Sequence, residues 1–181
     1  MVSRLLRVSP VVTALAAASL VMACSDSIAS PGTGGPPPIQ TDRTSYQLQE
    51  TVGRGLRVEI PYAYHNTTGK TVYLVNCKVV QAGLQKQVED EWVDAWGGVY
   101  NDCLGPAIEV AAGASYVDTM VVSHYPGAFP RFSVEPIDGT YRIAWSSTRT
   151  VHNYDDSFSD GSWGDSLPLA DRISNEFTLS K

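Results

Sequence analysis

From Leu56 to Tyr64 the apolar side chains fall on every second residue: Leu56, Val58, Ile60, Tyr62 and Tyr64, with Arg57, Glu59, Pro61 and Ala63 between them. A period of two sends alternate side chains to opposite faces. This is the signature of a half-buried strand, not of a helix, whose faces recur at roughly 3.6 residues. Pro61 withholds a backbone donor and predicts an edge or a bulge there. The run His65-Asn66-Thr67-Thr68-Gly69-Lys70 then reads as a turn. Asn66-Thr67-Thr68 matches a glycosylation sequon and is read as part of that turn. No stretch of the chain offers a convincing helical period.

The same pattern recurs downstream. Strand residues resume at Thr71 to Val75. Gly83 to Val88 and Trp92 to Trp96 read as a hairpin around Glu89-Asp90-Glu91, with Trp92, Asp94 and Trp96 on one face. A short strand is expected at Val99 to Cys103. Ile108 to Val110 and Ser115 to Val122 flank the turn Ala111-Ala112-Gly113. Further strands are expected at Arg131 to Glu135, Thr140 to Ser146 and Ile173 to Leu179. Short strands separated by turn signals predict an all-β antiparallel sandwich over residues 41–181.

The N-terminus has a different composition. Arg4 and Arg7 precede the uncharged apolar run Val11 to Met22, and small residues follow. These are the three parts of a secretory signal over residues 1–23. The run is shorter than the roughly 20 apolar residues of a membrane-spanning helix. Residues 24–40 are rich in Ser, Gly and Pro and poor in large apolar side chains. They are expected to be a flexible tether, stiffened by Pro36-Pro37-Pro38.

Val21-Met22-Ala23-Cys24 resembles the lipobox of bacterial lipoproteins. The resemblance implies cleavage after Ala23 and a diacylglycerol thioether on Cys24, with acyl chains such as palmitate anchoring the protein to a membrane. Ser25 after that cysteine resembles the outer-membrane sorting signal of enteric bacteria. The expected location is therefore the cell envelope, lipid-anchored, at the outer membrane.

Cys77 and Cys103 remain as an even pair in an oxidising compartment, and a disulfide between them is expected. Its loop would stabilise the fold by about 3–4 kcal/mol in the chain-entropy model. Free thiols or a metal site are the alternatives. Zinc would need two more ligands, and His65, His124 and His152 lie at no ligand spacing.

Arg4 and Arg7 are the only charged residues of the first 23. Of the 13 Lys+Arg and 19 Asp+Glu in the chain, 11 and 19 therefore lie beyond them, a net charge of −8. That sign argues against a nucleic-acid partner, since such binding is driven by basic groups on phosphates. There is no G-x-S-x-G elbow, H-E-x-x-H helix, phosphate-binding Gly-rich loop or dinucleotide fingerprint. The protein is expected to be non-enzymatic, with no cofactor and no metal.

Thr148 to Asp171 separates two expected strands by about two dozen residues, longer than a compact domain usually allows without purpose. Tyr154, Asp155, Asp156, Phe158, Asp160, Trp163 and Asp165 make it the candidate contact loop, expected to lie outside the sheets. A calcium-holding loop, although its aspartate spacing does not match an EF-hand, and an ordinary solvated loop are the alternatives. The candidate partners are the membrane, through Cys24, and an envelope protein or glycan.

Asp138-Gly139-Thr140-Tyr141-Arg142-Ile143 resembles the tyrosine corner of immunoglobulin-like sandwiches. There a Tyr hydroxyl bonds back to the backbone. The layout over Thr41 to Lys181 is also similar to secreted bacterial Ig-like domains, including those related to intracellular proteinase inhibitors. The resemblance implies a non-catalytic binding or structural module. A protease-inhibitor-like protein is the first alternative, with Ser123 to Arg131 as the candidate inhibitory segment. An enzyme of unrecognised type is the second.

Overall fold

The computed structural model describes residues 35–75, 82–98, 106–154 and 163–181. The expected lipidation and cleavage sites, the Cys77–Cys103 pair and the strand expected at Val99 to Cys103 lie outside them.

The described residues form thirteen strands and one short 3-10 turn, Leu169–Asp171. The first sheet centres on β4 (Gly55–His65), 11 residues long, which pairs from Leu56 to His65 with the whole of β9 (Ser115–His124). On its other side β4 pairs with β1 (Ile39–Thr41) and β3 (Gln49–Thr51). The second sheet runs in the order β2 (Ser45–Gln47), β13 (Phe177–Ser180), β10 (Gly139–Trp145), β6 (Ala82–Val88), β7 (Glu91–Gly97). The third is small: β12 (Asp165–Ser166), β11 (Thr150–His152), β5 (Val72–Leu74), β8 (Ile108–Val110). Among the described strands all pairings are antiparallel except β2 with β13, and Ile39 makes an isolated parallel bridge to Ser174. The N-terminal segment switches sheets, β1 lying in the first, β2 in the second and β3 back in the first. Ile39 is fully buried, so the fold begins two residues inside the stretch read as tether.

The period-two reading of Leu56 to Tyr64 corresponds to β4. Val58, Ile60, Tyr62 and Tyr64 are buried, while Arg57 and Glu59 are exposed. Facing them across the core are Leu84, Tyr141, Ile143 and Trp145 of the second sheet. Trp145 joins the layers, with its ring 4.7 Å from that of Tyr64 and 6.1 Å from that of Tyr62. Such aromatic pairs contribute about 0.5–1.5 kcal/mol each beyond the apolar area they bury.

Tyr141 is fully buried in β10, with strands on both sides, and its hydroxyl donates to the carbonyl of Ile137. Gly139 is needed at this corner. Its φ is 155°, and a Cβ there would meet Lys86 Cε at 2.7 Å. Lys86 lies across the corner and donates to the carbonyl of Pro136, and Asp138 accepts from the backbone N–H of Lys181.

The structure departs from four sequence expectations. Trp96 does not share a face with Trp92 and Asp94. The register shifts between Leu84 and Gln85, Ala95 is the extra residue, and Trp96 turns into the core. Arg131 to Glu135 is not a strand; it lies between two cis X-Pro bonds, Phe129–Pro130 and Glu135–Pro136. The last strand starts at Phe177, and Ile173 makes only a single bridge to Ala144. Thr148 to Asp171 is not wholly outside the sheets, because β11 and β12 belong to it and Thr150, Val151 and Leu167 are buried.

Candidate functional site

The bulge at Ala95 also shapes the solvent face of the second sheet. Registration across β10, β6 and β7 aligns Ala144 with Gly83 and Gly97, so three adjacent strands present almost no side chain at that level. The next solvent-facing row is Arg142, Gln85 and Asp94. These are joined in a chain: Arg142 Nε donates to Gln85 Oε1 at 2.9 Å, and Gln85 Nε2 donates to Asp94 Oδ1 at 3.0 Å. The Arg142 guanidinium lies over the Trp92 ring at 4.3 Å, a cation–π contact.

Above the Gly/Ala row lies a groove of about 630 Å³. Phe129, Arg131 and Ser133 line it on one side; Leu169 and Arg172 belong to the segment running beside β10. Ser133 fixes its segment to β7, its N–H donating to the Ala95 carbonyl at 2.8 Å. Arg172 is fixed by donating from Nε to the Leu167 carbonyl and from Nη1 to the Trp145 carbonyl. Burial lowers the pKa of Arg142 and Arg172 from the usual guanidinium value. Phe129 is 64% exposed and Leu169 44%, both large apolar groups held in water.

Of the candidate contact loop, Asp155, Asp156, Phe158 and Asp160 lie outside the described residues. Tyr154 and Trp163 are half-buried in a stack: Tyr73 with Tyr154 at 5.7 Å, Tyr154 with Trp163 at 6.0 Å, and Arg149 over Trp163 at 5.2 Å. Asp165 is exposed and accepts from Asn153 Nδ2. These aromatic faces are turned on one another, which pins the connection to the third sheet.

The histidines are far apart and each is engaged locally. His65 pairs with Ser115, Nδ1 of His124 accepts from the N–H of Phe132, and His152 contacts the carbonyl of Thr71. Among the described residues no three His, Cys, Asp or Glu side chains come together as a metal site. Asp118 holds two tyrosines, accepting from Tyr116 at 2.9 Å and Tyr62 at 3.4 Å. Burial first, and the carboxylate second, push both phenols well above their ordinary pKa. The candidate inhibitory segment is folded back on itself rather than extended. Tyr125 N–H donates to the Pro130 carbonyl and Ala128 N–H to that of Tyr125.

The groove was not foreseen from the sequence as a site. One signal for it was present: Gly83 and Gly97 inside strand patterns, where glycine marks a bulge or close approach.

No family model matches the chain, and no curated protein matches it. Among solved structures it is similar to Pseudomonas fluorescens alkylpurine DNA glycosylase AlkC bound to DNA containing an abasic site analog. The identity is 9% and the TM-score 0.32, over 82% of this chain and 32% of that one. The chain thus spans about a third of that protein. A likeness this slight carries no argument about activity. It carries none about a nucleic-acid partner either, although the matched structure is a DNA complex. The exclusion of nucleic acid as a partner is corrected on charge distribution instead: net charge averages over a surface that gathers Arg131, Arg142 and Arg172 on one face.

Proposed function

We propose that this chain is a lipid-anchored, extracytoplasmic protein whose domain is a non-catalytic Ig-like module that binds through the groove of its second sheet. The lipobox-like Val21-Met22-Ala23-Cys24 supports the anchor, and the buried start of the fold at Ile39 leaves a short Ser/Gly/Pro tether between them. The Tyr141–Ile137 bond supports the Ig-like reading. The binding role rests chiefly on one observation: a side-chain-poor floor walled by exposed Phe129, Leu169 and Arg131 and by Arg172, which two backbone carbonyls hold in place. Exposed apolar groups concentrated around a concavity mark interaction surfaces. Its lining serines would need an adjacent base to act as nucleophiles, and no histidine lines the groove.

Two measurements test this. Metabolic labelling with an alkyne fatty acid should tag the wild type and not Cys24→Ser; equal labelling of both would refute the anchor. A photo-crosslinker at Ser147 in the groove should capture a discrete partner in cells, while one at Gln49 in the opposite sheet should not. Identical patterns from the two positions would refute the groove as the binding face.

A further inference from the structure

We propose that the groove takes an extended acidic peptide, its backbone along the Ala144–Gly83–Gly97 floor, its carboxylates on Arg131 and Arg172, and an apolar side chain against Phe129 or Leu169. The proposal rests on the reading of the domain as a binding module and names its ligand class; it is independent of the lipid anchor.

The floor sets the shape of the occupant. Three adjacent strands span roughly 10 Å. With only hydrogens or a methyl on that row, a second backbone can approach closely. Charge sets its sign. Among the described residues Asp94 is the only carboxylate in the lining, and Gln85 already donates to it. Arg131 is exposed, and Arg172 spends only Nε and Nη1 on backbone carbonyls, leaving further N–H groups for a carboxylate. A chain of net charge −6 that concentrates arginines at one concavity is complementary there to an anion. Two accessible guanidinium groups match the one or two carboxylates of a short peptide. A single-stranded nucleic acid stacks successive bases on several open aromatic faces; the Trp92 face beside the groove is covered by Arg142, which leaves Phe129 as the one exposed ring among the described lining residues.

The test uses the full chain in detergent and fluorescein-labelled, capped hexapeptides of alternating Glu and Leu or alternating Lys and Leu, with a single-stranded oligonucleotide as the third probe. The Glu/Leu peptide should bind saturably, more weakly as salt rises, and the Lys/Leu peptide should not. Arg131→Glu should weaken binding at least about tenfold, the loss of one charge-assisted pair. Gly97→Phe should weaken it comparably by filling the floor, since a Cβ there meets nothing within 4 Å and the fold can accept it. Lys70→Glu, in a turn that does not line the groove, should leave binding unchanged. Circular dichroism of each variant identifies any that misfolds, and either groove variant alone suffices. No binding of the Glu/Leu peptide, binding indifferent to both groove variants, or tighter binding of the oligonucleotide through Arg131 would each overturn the proposal. Failure here with continued cross-linking at Ser147 would remove this ligand class and leave the binding-module reading standing.

Discussion

The hydroxyl of Tyr141 donates to the carbonyl of Ile137, four residues upstream, and the bond is buried. It ties the turn at Asp138-Gly139 to the centre of the second sheet. Tyr141→Phe keeps the ring's packing but leaves a buried carbonyl without its donor, so it should cost about 1–3 kcal/mol. Tyr141→Ala also opens a cavity beside Phe132 and should cost about 3–5 kcal/mol. Urea denaturation of the two variants checks the order; a Tyr141→Phe variant as stable as the wild type would mean that the hydroxyl contributes nothing.

The bulge makes a sharper prediction, because two glycines in one cross-strand row should behave differently. A Cβ on Gly83 would meet the backbone oxygen of Trp96 at 2.9 Å, and one on Gly97 meets nothing within 4 Å. Gly83→Ala should therefore destabilise by about 1–3 kcal/mol, as overpacking does, while Gly97→Ala stays within about 0.5 kcal/mol of the wild type. Thermal melts of both separate them.

That contrast also marks where the sequence stopped being readable. β4 was legible because one of its faces packs on the core and the other does not, so burial imprints a period of two. The bond from Tyr141 back to Ile137 was legible because Asp138, Gly139 and Tyr141 act locally. The bulge was not, since it exists only in the pairing of β7 with β6, and one extra residue sends Trp96 inward while Trp92 stays out. β11 escaped for the same reason. Thr150 pairs with Leu74, 76 residues earlier in the chain, and no local pattern records that. The groove needs three strands in register and two flanking segments, so its glycines could be noticed singly but not assembled.

Asn66 stands in a sequon, yet the structure occupies its whole amide. Its Nδ2 donates to the carbonyls of Lys70 and Val110, both at 2.8 Å, and its Oδ1 accepts from the N–H and hydroxyl of Thr68. The residue is fully buried. Asn66→Ala takes the amide donor from the buried Val110 carbonyl, while the Thr68 hydroxyl still reaches that of Lys70, and should cost about 1–3 kcal/mol. Conversely, expression with a glycosylating system should leave Asn66 unmodified by mass; a glycan there would contradict the buried turn.

Alkaline pH should unfold this domain through its tyrosines. Burial, and then the hydrogen bond to Asp42, push the Tyr46 phenol up from the ordinary value of 10.0 to about 12. Burial raises Tyr62, Tyr64, Tyr116 and Tyr141 as well. In each case the folded state holds the proton more tightly than the unfolded chain does. The stability this confers is fully present below the unfolded value, near 10, and is lost as pH rises through the folded values, because the unfolded chain gives up its protons first. Urea midpoints should therefore hold steady up to about pH 10 and fall steeply towards 12, in step with the ultraviolet absorbance of tyrosinate. Tyr46→Phe removes one such titration. It should be less stable at neutral pH, where the bond to Asp42 is missing, yet lose less stability across the alkaline window. A wild type whose midpoint stays flat to pH 12, or a Tyr46→Phe variant that falls as steeply as the wild type, would show that these phenols are not what the fold protects.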